Sequence, residues 1–284
     1  MRRRRMRRLR NRRAFVVIAV CALAAAPLAA PAADSTTPPS PVPTGPPTSL
    51  VVALGLRDPA LGAGVVRGDT VVLARGFEVE LAKLLARRLG VPLGRFVELR
   101  PARRFLAGAS TGWQLALGGI EPWRAARAAG DLSDPYLTSD AAVVLRRHLP
   151  RPRGLADLRG RTLCALRGSD AAQTIARVVR PGPRPLLATR PDRLRELLRT
   201  GACDAALVPS LEAGRFVRGH ARELGPVTGR VESGDGLVVA VARGSGLDVA
   251  AVDRALAQLR RDGTLGRLAR SWLGLDPARL RTLR

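Results

Sequence analysis

GFEVELAKLLARRLGV, residues 76–91, reads as a helix with one apolar side. Leu81, Leu84, Leu85 and Leu89 recur at three- and four-residue spacing and share a face, and Gly90 offers the left-handed stop that ends helices. Such a stripe needs a partner surface. Just upstream, LVVAL (Leu50–Leu54) is an apolar run without polar alternation, the pattern of a strand covered on both faces. The pairing repeats downstream. LAL (Leu115–Leu117), AAVVL (Ala141–Leu145), TLCAL (Thr162–Leu166), DAALV (Asp204–Val208) and LVVAVA (Leu237–Ala242) read as further buried strands. Between and after them lie two more helices, Asp192–Thr200 with Leu194, Leu197 and Leu198, and a C-terminal one striped by Val252, Leu256 and Leu259. Strands and helices in alternation make the class α/β.

The chain has 284 residues, and 46% of them are hydrophobic, enough for one large domain or two ordinary ones. Its formal charge of +25 invites a nucleic-acid reading. Nine arginines fall within Met1–Arg13, which leaves +16 for the rest, and all the basic residues except Lys83 are Arg. That usage fits the codon bias of a GC-rich genome, and no helix-turn-helix, zinc-finger or RNA-motif signature accompanies it, so nucleic acid is not expected as a partner.

Residues 1–33 read as an export signal: an Arg-rich start, the apolar Ala14–Ala30, then small residues at 30, 32 and 33. A retained anchor and a lipoprotein built on Cys21 are the alternatives; Pro27 and Pro31 weaken the first, and Val20 before the cysteine disfavours the second. Residues 34–49 form a Pro-rich linker, with six prolines in the fifteen residues from Asp34 to Thr48. At about 3.1 Å per residue it spans up to about 45 Å. The expected location is extracytoplasmic.

Four segments, GFEVELAKLLARRLGV, DLSDPYLTSDAAVVLRR, LADLRGRTLCALRGSDAAQTI and DVAAVDRALAQLRRDGTLGRLARSWLG, resemble the solute-binding proteins of amino-acid ABC importers, in the family's order. The resemblance implies a two-lobed periplasmic-binding-protein-like fold, each lobe a mostly parallel sheet flanked by helices. Lobe 1 would be residues 50–141 plus 242–284 and lobe 2 residues 142–241, joined by AAVVLRR and GLVVAVA as crossing strands. It also implies a small-molecule ligand, an amino acid or related carboxylate, held between the lobes of a monomer and delivered to ABC permease subunits. Closure on such a solute is a population shift, because the ligand touches both lobes only when they meet.

In the family an arginine after the second lobe-1 strand forks onto the ligand carboxylate. GGIEPWRAARAAGDLSDPY offers Arg124 for that role, with Arg127 in reserve. The RGSD turn follows TLCAL, and there Gly168, Ser169 and Asp170 would present helix-start amides to the same carboxylate, or simply cap the helix. Two departures set this chain apart. Pro209 stands where the family commonly has an ammonium-binding Asp, and the loop from Gly55 to Asp69 lacks the usual stacking aromatic. Asp58, Glu121 and Trp123 are the candidate substitutes, and the solute is an anion or modified amino acid as readily as a plain zwitterion.

Cys164 and Cys203 fall on expected neighbouring strands of lobe 2, placed either for a disulfide or as two buried thiols. His148 and His220 are isolated, no zinc spacing exists, and no cofactor is expected. The rival readings are a sensor or binding module without a transport role, and a dehydratase-like enzyme on the same fold. For the enzyme, no nucleophile, base and orienter stand together in the sequence.

Overall fold

The computed structural model describes residues 47–99, 112–122, 126–127, 130–179, 184–233 and 236–284. Its strands build two sheets. The first runs β2-β3-β4-β1-β5-β12-β6, from β1 (Leu50–Leu54), β2 (Ala63–Arg67), β3 (Thr70–Arg75), β4 (Leu93–Glu98), β5 (Leu115–Leu117), β6 (Gly130–Leu132) and β12 (Ala240–Ala242). The second runs β11-β7-β10-β8-β9, from β7 (Ala141–Arg146), β8 (Leu163–Leu166), β9 (Leu186–Ala188), β10 (Ala205–Pro209) and β11 (Leu224–Val231). Each sheet is the floor of one lobe.

The uninterrupted apolar strands are explained by what covers them. In β7, Ala141, Val143 and Leu145 enter one core while Ala142 and Val144 enter another on the opposite face; β10 divides likewise, Ala205 and Leu207 against Ala206 and Val208. Helices α2 (Ala156–Arg159) and α3 (Asp170–Val178) supply Leu158 and Ile175 to the first of these cores. Helices α4 (Pro191–Arg199) and α5 (Ser210–Val217) supply Leu194, Leu198 and Phe216 to the second. In lobe 1, α1 (Phe77–Leu89) packs Leu81 and Leu85 with Leu256 and Leu259 of α6 (Val249–Arg261) and Leu273 of α7 (Thr264–Leu273). Leu81 and Leu85 are fully buried, and truncating either to Ala would cost about 2–5 kcal/mol. Gly90 ends α1 in the left-handed conformation that its sequence position suggests.

The sheets are mixed rather than mostly parallel. Parallel pairing is confined to β4-β1-β5 and β10-β8-β9, while β7, β11, β12, β2, β3 and β6 enter antiparallel. The reason is topological: β7 and β12, which arrive from the other lobe, and one arm of the β2–β3 hairpin come in reversed, and β11 and β6 are antiparallel because they pair with β7 and β12.

Two segments carry the chain between lobes, residues 133–140 and, among the described residues, 232–233 with 236–239. They pair with each other: the Tyr136 amide donates to Leu237 O at 2.8 Å, the Leu237 amide to Leu137 O at 2.8 Å, and the Val239 amide to Ser133 Oγ at 2.9 Å. Val238 and Val239 already sit in the cores of lobe 1, so the crossing lies upstream of GLVVAVA's second half. At the lobe-2 end, the buried Asp140 pairs with Arg230 and accepts the Ser233 amide. The last ten residues also leave lobe 1. Leu283 is buried in a lobe-2 core, and the tail pairs with Arg230 of β11, whose amide donates to Arg281 O at 2.8 Å. The outer edge of β11 is free to accept them, which segment composition alone does not reveal. Cys164 of β8 and Cys203, just before β10, form a disulfide with Cα atoms 6.1 Å apart.

Candidate functional site

The parallel strands of both sheets end on loops, and in open α/β sheets ligands lie outside those carboxyl ends. On lobe 1 the loops after β1 and β5 are drawn together by close backbone approach. A Cβ on Gly55 would lie 2.5 Å from the Gly118 Cα, so neither position tolerates a side chain without movement. The Gly55 amide donates to Leu117 O at 2.8 Å. This pairing presents Asp58 on one loop and Gly119, Ile120 and Glu121 on the other.

Asp58 folds its loop around itself. Its carbonyl accepts the amides of Leu61 and Gly62, and its carboxylate accepts the Ala60 amide at 2.9 Å. The same carboxylate takes both Nη atoms of Arg215 on α5, at 2.7 and 2.9 Å. Burial pushes the Asp58 carboxyl up, but Arg215 and the amides of Ala60 and Leu61 outweigh it and hold the carboxyl below its usual value. Glu212, one turn before Arg215, is pushed the other way, chiefly by burial, against the attraction of Arg215. Asp58 is therefore spent on an arginine from lobe 2 and is not an idle counter-charge.

Behind this loop sits a residue that motif reading passes over. Glu78, in the first turn of α1, is wholly buried; its Oε1 accepts the Gly119 amide at 2.8 Å and the Tyr136 hydroxyl at 2.5 Å, and its Oε2 has no partner among the described residues. One carboxylate thus ties α1, the loop after β5 and a crossing segment. Burial raises it to about 7, with Asp58 adding to the rise and the two hydrogen bonds opposing it. Such an acid is the signature expected of the enzyme reading, but this one is closed to solvent and its hydrogen bonds position the elements around it. Helical phase could have found it, since 78, 81, 82 and 85 share the buried face of α1.

Glu121 is exposed and accepts from Ser139 Oγ on a crossing segment at 3.4 Å. Arg127 is exposed beside β6, and its carbonyl accepts from Arg243 Nη2 at 2.8 Å. Trp123 and Arg124 lie outside the described residues. On lobe 2, Gly168 turns the chain after β8 at φ +76°. Ser169 caps α3 by accepting the Ala172 amide at 3.2 Å while donating to Leu166 O at 2.8 Å, and Asp170 opens the helix exposed. A capped helix start beside a left-handed glycine aims free amides outward from the strand ends, the physics of an anion site. Pro209 ends β10, and Ser210 begins α5 fully buried, its hydroxyl donating to Thr138 O and accepting the Asp140 amide, both at 3.2 Å. The lobe-2 loop is thereby fastened to the crossing. Among the described residues no group of His, Cys, Asp and Glu could hold a metal ion, and no helix is long and apolar enough to cross a membrane.

The sequence profile of the bacterial extracellular solute-binding proteins, family 3, matches residues 69–275. Among curated proteins, the L-cystine-binding protein TcyJ of Escherichia coli K12 is 28% identical over 214 residues, covering 71% of this chain and 75% of its own. Among solved structures, the L-cystine solute receptor of Neisseria gonorrhoeae, unliganded and open, matches with TM-score 0.63 and 20% identity, covering 83% of this chain and 95% of that one. The second substrate-binding domain of a putative amino-acid ABC transporter of Streptococcus pneumoniae matches with TM-score 0.64 and 17% identity, covering 79% and 100%. At these identities the two structures speak for the two-lobed fold.

Proposed function

The chain belongs to family 3 of the bacterial extracellular solute-binding proteins, and from that premise we propose that it captures an amino acid or related small carboxylate between its lobes and delivers it to an ABC importer. The observation that supports this most is the hydrogen-bonded pairing of the crossings at Ser133, Tyr136 and Leu137 with Leu237 and Val239, which lets two lobes with cores of their own turn about a common hinge. The relatives in this family are binding proteins rather than enzymes, and two of those matched are named for L-cystine.

In this reading the solute carboxylate lies between Arg124 and the helix start at Gly168, Ser169 and Asp170, with the arginine forking onto it and the amides of α3 completing its hydrogen bonds. Glu121, Trp123 and Arg127 border that place, and the permease subunits read the orientation of the lobes. An amino acid's ammonium group is met by Glu121, because Pro209 brings no charge and Asp58 is engaged by Arg215.

Thermal unfolding with L-cystine, the standard amino acids, keto acids and polyamines tests the proposal. A solute at 100 times its Kd adds about 2.7 kcal/mol of stability, and Arg124→Ala abolishes that gain while leaving the solute-free midpoint in place. A wild-type protein that none of these solutes stabilises, or an Arg124→Ala variant stabilised as much as wild type, defeats the reading.

A further inference from the structure

Asp58 and Arg215 come from different lobes. Asp58 lies on the loop after β1, whose neighbours Ala60 and Leu61 accept the first amides of α1 and join the lobe-1 core. Arg215 lies on α5, whose Ala213 and Phe216 are in a lobe-2 core. We infer that the Asp58–Arg215 pair is a built-in latch that fixes the relative orientation of the two lobes. The inference deepens the solute-binding reading by naming a contact of the protein itself that sets the hinge.

Three observations carry it. The contact is bidentate, at 2.7 and 2.9 Å, and a planar guanidinium fork on a carboxylate fixes direction as well as distance. Both partners are partly shielded, with side chains 32% and 28% exposed, so salt screens the pair less than a surface pair. Arg215 also stands more than one helical turn along α5 from that helix's bond to the crossing. Ser210 is bonded to the crossing segment at Thr138 and Asp140, and Arg215 is five residues further along the helix, about 7.5 Å at 1.5 Å per residue. A lobe rotation of about 15° about that anchor displaces a point about 7.5 Å away by about 2 Å. Hydrogen bonds that hold only between 2.7 and about 3.2 Å do not survive that movement.

The surroundings single out this arginine. Among the described residues, Glu212 on its own helix and Glu78 behind the Asp58 loop are the other charged groups that act on the pair, and both are acidic. Arg215 is therefore the cation that allows the two lobes to meet here without carboxylate facing carboxylate, and removing it leaves repulsion in place of attraction. Any rotation of one lobe against the other has to break or re-form this latch.

The test reads lobe orientation directly and needs no solute. Spin labels are attached at Val65→Cys in lobe 1 and Leu186→Cys in lobe 2, both exposed positions, in the full chain with Cys21→Ser, stripped of bound solute by unfolding and refolding. Pulsed dipolar spectroscopy is expected to give one narrow distance distribution. Arg215→Ala and the nearly isosteric Asp58→Asn should each shift its centre by about 3 Å or at least double its width, and the double variant should match the singles. Asp58→Asn keeps the test intact if Arg215→Ala does not fold. Distributions in the variants that superimpose on the parent's overturn the latch. That result leaves solute-induced stabilisation untouched, so a failure of the latch is distinct from a failure of the binding function.

Discussion

The Tyr136 hydroxyl donates to Oε1 of Glu78 at 2.5 Å, so a crossing segment is held by a carboxylate with no exposed surface at the start of α1. The consequence is a pH dependence of known sign. Burial raises the Glu78 carboxyl from 4.5 to about 7 in the folded chain, while the unfolded chain keeps the ordinary value. As pH rises between those values, unfolding releases a proton that the folded state retains, so this group's stabilisation is full below about 4.5 and is lost as pH climbs through 7. At about 1.4 kcal/mol per pH unit the loss is about 3 kcal/mol. Glu78→Gln keeps an acceptor for Tyr136 and Gly119 but cannot ionise. Urea unfolding at pH 5, 6, 7 and 8 should show a decline in wild type that is about 3 kcal/mol smaller in the variant; identical slopes would mean that Glu78 titrates normally.

The Cys164–Cys203 disulfide closes a loop of 39 residues within lobe 2. Loop-closure entropy for that length amounts to about 4 kcal/mol taken from the unfolded chain. Dithiothreitol should lower the urea midpoint of the wild type, and the double variant Cys164→Ala, Cys203→Ala should already sit at the lowered midpoint and ignore the reductant. A reductant-sensitive double variant would point to another cause.

At the head of α3 the cost of one backbone conformation is isolated. Gly168 stands at φ +76°, and a Cβ placed there meets nothing within 4 Å. Gly168→Ala therefore adds strain without a clash, about 1 kcal/mol, and Gly168→Asn adds less, because Asn visits the left-handed region more readily. Ser169→Ala removes the cap on Ala172 and costs about 1 kcal/mol more. Equal midpoints for wild type and Gly168→Ala would refute the strain argument.

The elements read from sequence and those missed differ in what covers them. The strands Leu50–Leu54 and Leu115–Leu117 appear with their bounds unchanged, because both faces are buried and only apolar residues fit. β2 and β4 escaped notice because exposed residues such as Arg67 and Arg95 interrupt them, and β11, LGPVTGRV, carries a proline and two glycines that a bulged edge strand tolerates. In the site, Asp58 was visible as an acid beside Arg57 in a loop that is otherwise small and apolar as far as Val66. Its partner was not, because Arg215 lies 157 residues away and looks like any arginine on a helix in an Arg-rich chain. The tail's attachment to β11 was hidden for the same reason: sheet-edge pairing depends on which edge is left open, and no local pattern records that.

Asp140 and Arg230 meet where the crossing enters lobe 2, with side chains 3% and 17% exposed. Their substitutions should not add. Arg230→Ala strands a buried carboxylate whose remaining support is the Ser233 amide, and a buried pair broken in this way costs about 3–5 kcal/mol. Asp140→Ala should cost less, because the less buried guanidinium keeps a bond to Leu280 O at 3.2 Å. The double variant removes the stranded charge together with its partner, so its loss should fall short of the summed single losses by about 1–3 kcal/mol, the coupling expected of a shared network. A double-mutant cycle in urea measures that difference. Additivity within about 0.5 kcal/mol would show that the two residues act independently, and the ion pair would then not be what secures the crossing to lobe 2.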